Sequence, residues 1–467
     1  MSDLQDMSNN ATIQPSAAPS SSDEGGKLKD RHIAMIALGG VIGAGLFIGS
    51  SAAIAAAGPA ILLTYIATGL LVVIVMRMLG EMLLARPGIG TFVDCIRVAH
   101  GNGAGFVSGW LYWMFWVVTI GTEAIGGAIL LQEWLPLPIW ILAPALIVAV
   151  NLINLAAVDL FGECEFWLSL IKVAALVAFC AVSLLSLIHF IGPHANIAAN
   201  LTSGGGPLPH GFGAVLAAVP TVLFSMMGSE AATVAAAESE NAQSNLARVT
   251  RTIGARITLF YLLSAALILC LVPWTSIHPG YSPFVTVMRS IGIPGASLIM
   301  QIVVFSAILS CLNSSIYITS RTLRGLAEQG DAPNSFAVLS NRQVPQRAVT
   351  FSSLIGLVVA FCSILSPGLI FAFLLGSTGA VILLIYGLLV SSHRIFRKAD
   401  PTNPAFTLPF GSALNIGTIT GVGIVIATMF AEPTQRSTIL ASLLSVAAFS
   451  ALYVIRRPKS IASKRTT

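Results

Sequence analysis

The chain has 467 residues, of which 55% are hydrophobic and only 9% charged, with a formal net charge of +5. A soluble domain carries about a quarter charged residues, so this composition excludes an ordinary globular enzyme, and membrane topology accounts for the basic balance without nucleic acid. The six cysteines (Cys95, Cys164, Cys180, Cys270, Cys311, Cys362) are scattered with no ligand-like spacing, which argues against a disulfide framework and a metal site.

Residues 1–30 are polar and rich in Ser, Pro and Asn, and they lack the short apolar core of a cleavable signal. They read as a disordered cytosolic tail. Apolar stretches follow at 33–56, 60–82, 105–130, 138–158, 166–190, 213–236, 254–273, 291–322, 347–365, 368–392, 412–431 and 436–455. No Asp, Glu, Lys or Arg lies between Arg31 and Arg77, or between Arg347 and Arg394. Each gap accommodates two helices of about 20 residues, the length that crosses a hydrocarbon core. The expected fold class is an all-α integral membrane protein with 12 transmembrane helices. A short surface helix is expected between Arg86 and Gly105, and Gly- and Pro-rich outer loops at 192–213 and 274–290.

With the N-terminus in the cytosol, every Lys and Arg falls on the inner side except Lys172, Arg289 and Arg436. The positive-inside rule then puts both termini in the cytosol. Arg248, Arg251 and Arg256, and likewise Arg321 and Arg324 with the turn at Asp331, read as topology signals on solvated inner loops. The seven histidines all fall near span ends or in loops, so no intramembrane catalytic constellation is visible.

Two spans carry glycine clusters that interrupt a helix. The first runs from Gly39 to Phe47, the second from Phe224 to Glu230. Breaks free N–H and C=O groups that lipid cannot satisfy, so they persist only where protein or a polar cavity covers them. Each break opens a run of five spans. Five is odd, so the two runs enter the membrane from opposite sides, as inverted repeats do. A helix restarting near Gly43, Ala44 and Gly45 directs N–H groups at an anion. The carbonyls of Gly40, Val41 and Ile42, with those near Phe224, accept from an ammonium, and Phe224 and Met227 supply apolar walls. The candidate substrate-binding set is therefore Gly40, Val41, Ile42, Gly43, Ala44, Gly45, Phe224, Ser225, Met227 and Gly228. The competing reading is close helix packing, because Gly39/Gly43 and Gly45/Gly49 are small-xxx-small pairs.

Three ionisable residues lie within the spans. Lys172 sits in span five, about two turns from its inner end, where an ammonium is costly and must find oxygen partners or lose its proton. It is a candidate proton-coupling group, with snorkelling to the interface as the alternative. Glu123, deep in span three, is a second candidate for proton coupling, against a structural hydrogen bond. Glu230 follows the second break and is expected to support the unwound segment. Ser310 to Ser315 in span eight face the cavity or bond between helices.

The stretch from Ala37 to Phe47 closely resembles the first span of the bacterial amino acid transporter family of the amino acid–polyamine–organocation superfamily. Gly80-Glu81-Met82, Gly162-Glu163, Glu165-Phe166-Trp167, Ile171-Lys172-Val173 and Ala236-Ala237-Glu238-Ser239 resemble it too. Within that family, Ser310 to Ser314 and Gly330 to Pro333 are most similar to the γ-aminobutyrate permeases. The resemblance implies a leucine-transporter-like 5+5 inverted repeat with helices 1 and 6 broken, plus two extra C-terminal helices. The permease domain is then expected over 31–457, with repeats at 33–190 and 213–392, helices 11 and 12 at 412–455, and a tail at 458–467. It implies import of an amino acid across the bacterial inner membrane by proton symport. In related proton-coupled members a lysine in span five takes the place of a sodium ion, and Lys172 matches it, as Glu123 matches the family's span-three glutamate. No cofactor is implied beyond the proton as coupling ion. The implied partners are an amino acid and the lipid bilayer, with the protein a monomer or weak oligomer. The alternatives are an amino acid/amine antiporter and a non-transporting amino acid sensor.

Overall fold

The structure, a computed structural model, describes residues 42–86, 88–156, 158–193, 195–237, 242–341, 343–399, 408 and 410–456. The expected terminal tails and the candidates Gly40 and Val41 lie outside the described residues. Among the described residues the regular structure is all helical, and nine helical segments are long and apolar enough to cross a membrane. Two shorter apolar helices, Ile139–Leu155 and Gly211–Met226, accompany them.

Helix Asn102–Leu131 forms the centre of the bundle. It packs most extensively against Ala296–Glu328 and also contacts Ile139–Ala156, Gln346–Phe361 and Pro367–Ala399. Its most apolar window is 78% buried, whereas that of the last helix, Arg436–Arg456, is 17% buried. The difference separates an interior helix from a peripheral one, whose exposed Leu444, Val454 and Ile455 suit contact with lipid.

Several helices run further than hydropathy suggested. The Lys172 helix spans Val158–Leu187, eight residues earlier than the apolar stretch begins. Lys172 is therefore about four turns into its helix, and about two turns from the start of the membrane-crossing stretch Glu165–Leu187. Glu165, one residue outside the expected apolar stretch, is fully buried within the helix. The surface helix is Phe92–His100, capped at its start by Thr91, whose Oγ1 accepts from the Asp94 N–H at 3.2 Å, and ended by Gly101.

Polar contacts tie the ends of the helices together on the face that carries Glu81, Arg97 and Asp331. Arg97 pairs with Asp331, and Gln329 Nε2 donates to Asp94 Oδ1 at 2.8 Å. Arg397 Nε meets Glu81 Oε1 at 3.0 Å, and the Leu408 N–H donates to Glu81 Oε2 at 2.9 Å. His393, near the end of its span as expected, is buried against the same carboxylate at 3.3 Å.

Candidate functional site

Both glycine clusters interrupt regular helix, in different ways. A four-residue helix starts at Ala44, with Gly43 before it in extended backbone (φ −140°, ψ −149°). A side chain at Gly43 has no room, since its Cβ would lie 2.7 Å from Cys311 Sγ and 2.7 Å from Glu123 Oε1. At the second break, Val219–Met226 ends, Met227 is extended, and Ser229–Ala237 begins. Gly228 carries φ +96°, a left-handed conformation that glycine adopts at no steric cost.

The first break is held by charged side chains from other helices. The Ala44 N–H donates to Glu123 Oε2 at 2.8 Å. One carboxylate oxygen thus satisfies a free donor at a helix start, where negative charge is favoured. On the carbonyl side, Lys172 Nζ donates to Ile42 O at 3.1 Å and to Ser310 Oγ at 2.8 Å. The lysine is 0% exposed and therefore does not snorkel. Its counter-charge is Glu165, whose Oε1 lies 3.8 Å from Nζ and accepts from Ser310 Oγ at 2.5 Å and Ser169 Oγ at 3.2 Å.

The second break is held mainly by its own neighbour. Glu230 Oε2 accepts from the Gly228 N–H at 2.9 Å, and Oε1 accepts from Tyr112 Oη at 2.9 Å. Tyr261 Oη donates to Ser225 O at 2.5 Å, and Arg256 Nη2 donates to Ser229 Oγ at 2.5 Å. Arg256 is only 3% exposed. It is a buried support of the break rather than a residue of a solvated loop. A π-helical turn over Ile257–Leu263 follows it and sets Tyr261 toward Ser225.

The two breaks touch. A Cβ on Gly45 would stand 3.0 Å from Phe224 Cδ1 and 3.1 Å from Ser225 Cα. Phe224 packs against Phe115, with ring centroids 5.6 Å apart, and Met227 Sδ receives the Tyr386 hydroxyl at 3.6 Å. Ser225 directs its own hydroxyl to Val222 O at 2.7 Å. Of the candidates, Ile42, Gly43, Ala44, Gly45, Lys172 and Glu123 gather at the first break, and Phe224, Ser225, Met227, Gly228 and Glu230 at the second. Glu165, Ser310, Tyr112, Tyr261 and Arg256 join them. Glu165 was readable, because it precedes Lys172 by seven residues and so shares its helix face. Arg256 carried no such signal.

Helices whose apolar faces suit lipid, around a buried, charged and hydrogen-bonded pair of backbone breaks, define a multi-pass membrane protein with its polar groups gathered inside the bundle. The sequence pattern of the amino acid permease family matches residues 32–458, and the chain belongs to that family. It is 38% identical to the γ-aminobutyric acid permease of Bacillus subtilis (strain 168), over 93% of this chain and 94% of that protein. It is 42% identical to a probable GABA permease of Pseudomonas aeruginosa, over 79% of each chain. An aromatic amino acid transport protein, AroP of Escherichia coli O6:H1, is 37% identical over 82% of this chain and 86% of its own length. The family and these relatives are permeases, not enzymes, and amino acid transport is the activity they share.

Proposed function

We propose that this permease imports a small neutral amino acid, with γ-aminobutyrate the first candidate, by proton symport across the bacterial inner membrane. The fold we propose is 12 spans in a 5+5 inverted repeat with two further helices, the permease domain covering 31–457 and both termini in the cytosol. The observation that carries the coupling is the bond from Lys172 Nζ to Ile42 O at the first break. A charge-assisted hydrogen bond weakens when its donor loses charge. The protonation state of Lys172 therefore sets how firmly the unwound backbone is held.

Glu123 is the second coupling group. The Ala44 N–H already donates to it, so a substrate carboxylate reaches this helix start by sharing that donor or displacing the side chain. Protonating Glu123 removes the competing negative charge and loosens its hold. The substrate ammonium is then received by carbonyls at Gly40, Val41 and Ile42, with Phe224 and Met227 as apolar walls. Ser225, whose hydroxyl is turned to its own helix, contributes backbone. Gly228 permits the second break and Glu230 braces it.

The γ-aminobutyrate preference is supported by the names of the first two relatives and by their coverage of the chain. The test is uptake into proteoliposomes under an imposed proton gradient, competed by unlabelled γ-aminobutyrate and a panel of amino acids. Strong competition by γ-aminobutyrate and dependence on the gradient are expected. Uptake indifferent to the gradient, or competed only by aromatic amino acids, contradicts the reading.

A further inference from the structure

Lys172 does not stand alone. Nζ and Glu165 Oε1 are 3.8 Å apart, beyond hydrogen-bond range, and the Ser310 hydroxyl bridges them. Nζ donates to Ser310 Oγ at 2.8 Å, and Ser310 Oγ donates to Glu165 Oε1 at 2.5 Å. The three groups form a continuous, one-directional donor chain from a cation to a carboxylate. Lys172, Ser310 and Glu165 are each 0% exposed. Glu165 also accepts from Ser169 on Oε1, and among the described residues its Oε2 has no hydrogen-bond partner. Burying a carboxylate oxygen unpaired is costly while the group is ionised, and the cost falls when it binds a proton.

We infer that Ser310 and Glu165 form a proton relay for Lys172, in which Glu165 receives and holds the lysine's proton during the transport cycle. This inference rests on the proposed coupling role of Lys172. In the step, the Nζ–H bond breaks and its proton passes to Ser310 Oγ. The Ser310 hydroxyl proton passes in turn to Glu165 Oε1. The products are a neutral amine, an unchanged serine and a neutral carboxylic acid. The pair has no net charge before or after, so no counter-charge has to enter the buried site.

Two opposite charges become none, which removes the desolvation penalty that a buried ion pair carries. The lysine simultaneously loses its charge-assisted grip on Ile42 O. The relay therefore links the proton's position to the freedom of the first break. The other titratable groups around the ammonium are Cys311, from the helix that bears Ser310, and Glu123, from Asn102–Leu131. From the first break it is met by the Ile42 carbonyl. Glu123 is bound to Ala44 on the donor side of the break, leaving Glu165 as the carboxylate joined to Lys172 through a hydroxyl.

The test compares Ser310→Ala, Ser310→Thr, Glu165→Gln and Lys172→Ala in proteoliposomes. Two readouts are taken: accumulation driven by a proton gradient, and substrate counterflow with no gradient. Ser310→Ala keeps both charged groups but cuts the chain. Driven accumulation should fall about tenfold or more, the factor that losing one hydrogen bond to a charged group carries, and counterflow should fall by clearly less. Ser310→Thr restores a hydroxyl and should restore accumulation. Glu165→Gln keeps an acceptor for Ser310 but cannot hold the proton, and should match Ser310→Ala. Should that variant fail to reach the membrane, the alanine and threonine pair decides the question alone.

Undiminished accumulation in Ser310→Ala or Glu165→Gln overturns the relay. An equal loss of accumulation and counterflow overturns it too, because Glu165 is then only a structural counter-ion. Lys172→Ala separates the two levels. If it still accumulates substrate, the coupling reading itself fails; if it alone loses accumulation, only the relay fails.

Discussion

The two breaks hold their freed backbone groups differently, although remote Arg256 and Tyr261 also bond to Ser229 and Ser225 at the second. At Ile42–Ala44 the freed backbone is held by charged side chains from distant helices, Lys172 on the carbonyl and Glu123 on the N–H. At Met227–Ser229 the freed N–H of Gly228 is held by Glu230, two residues along the same chain, with Tyr112 steadying the carboxylate from outside. A local cap travels with its break whenever the helix moves. A remote one must let go or move as well, and its hold depends on its charge. We therefore assign responsiveness to the first break and bracing to the second.

The sharpest way to break this contrast is Gly43→Val. Its side chain would meet Cys311 and Glu123 at once, whereas Gly228 is constrained by backbone angle instead. Gly43→Val should eliminate detectable binding, measured by equilibrium binding to purified protein in detergent; unchanged affinity would return the glycine to a packing role. Next in size is Glu230→Ala, which leaves a buried N–H and a tyrosine hydroxyl without their acceptor. It should cost about 2–4 kcal/mol of stability, read as a lowered unfolding temperature, with the pH dependence of transport unmoved. A shifted pH dependence would make Glu230 a coupling group and erase the contrast. The smallest effect is expected from Tyr112→Phe, which removes one hydrogen bond to that carboxylate and should cost about 1.5 kcal/mol of stability, read as a smaller drop in unfolding temperature than Glu230→Ala gives.

Much of this was legible in the residues, and the failures share one cause. Apolar length revealed the membrane helices, and the Gly-Ser-Glu run marked the second break to within a residue or two of Gly228. Hydropathy placed the membrane-crossing stretch around Lys172 within a residue of its start at Glu165, but it missed that the helix reaches back to Val158, because it treats any carboxylate as a signpost to water. Glu165 is a buried partner instead, and its seven-residue spacing from Lys172 was the available clue. Arg256 misled for the same reason, since a basic residue near an inner loop counts toward topology whether it faces water or Ser229. Composition records that a charge exists. Only three-dimensional pairing shows that it is satisfied. The Glu81 contacts with Arg397 and His393 were equally out of reach, joining helices more than 300 residues apart in sequence.

The central claim is that the charge on Lys172 governs the first break and thereby couples protons to the substrate. It is tested most directly by Lys172→Ala in proteoliposomes, with substrate affinity measured alongside accumulation under a proton gradient. The account predicts that affinity stays within about tenfold of wild type, the scale of one lost charged hydrogen bond, while gradient-driven accumulation disappears. Accumulation at the normal rate in that variant would contradict it.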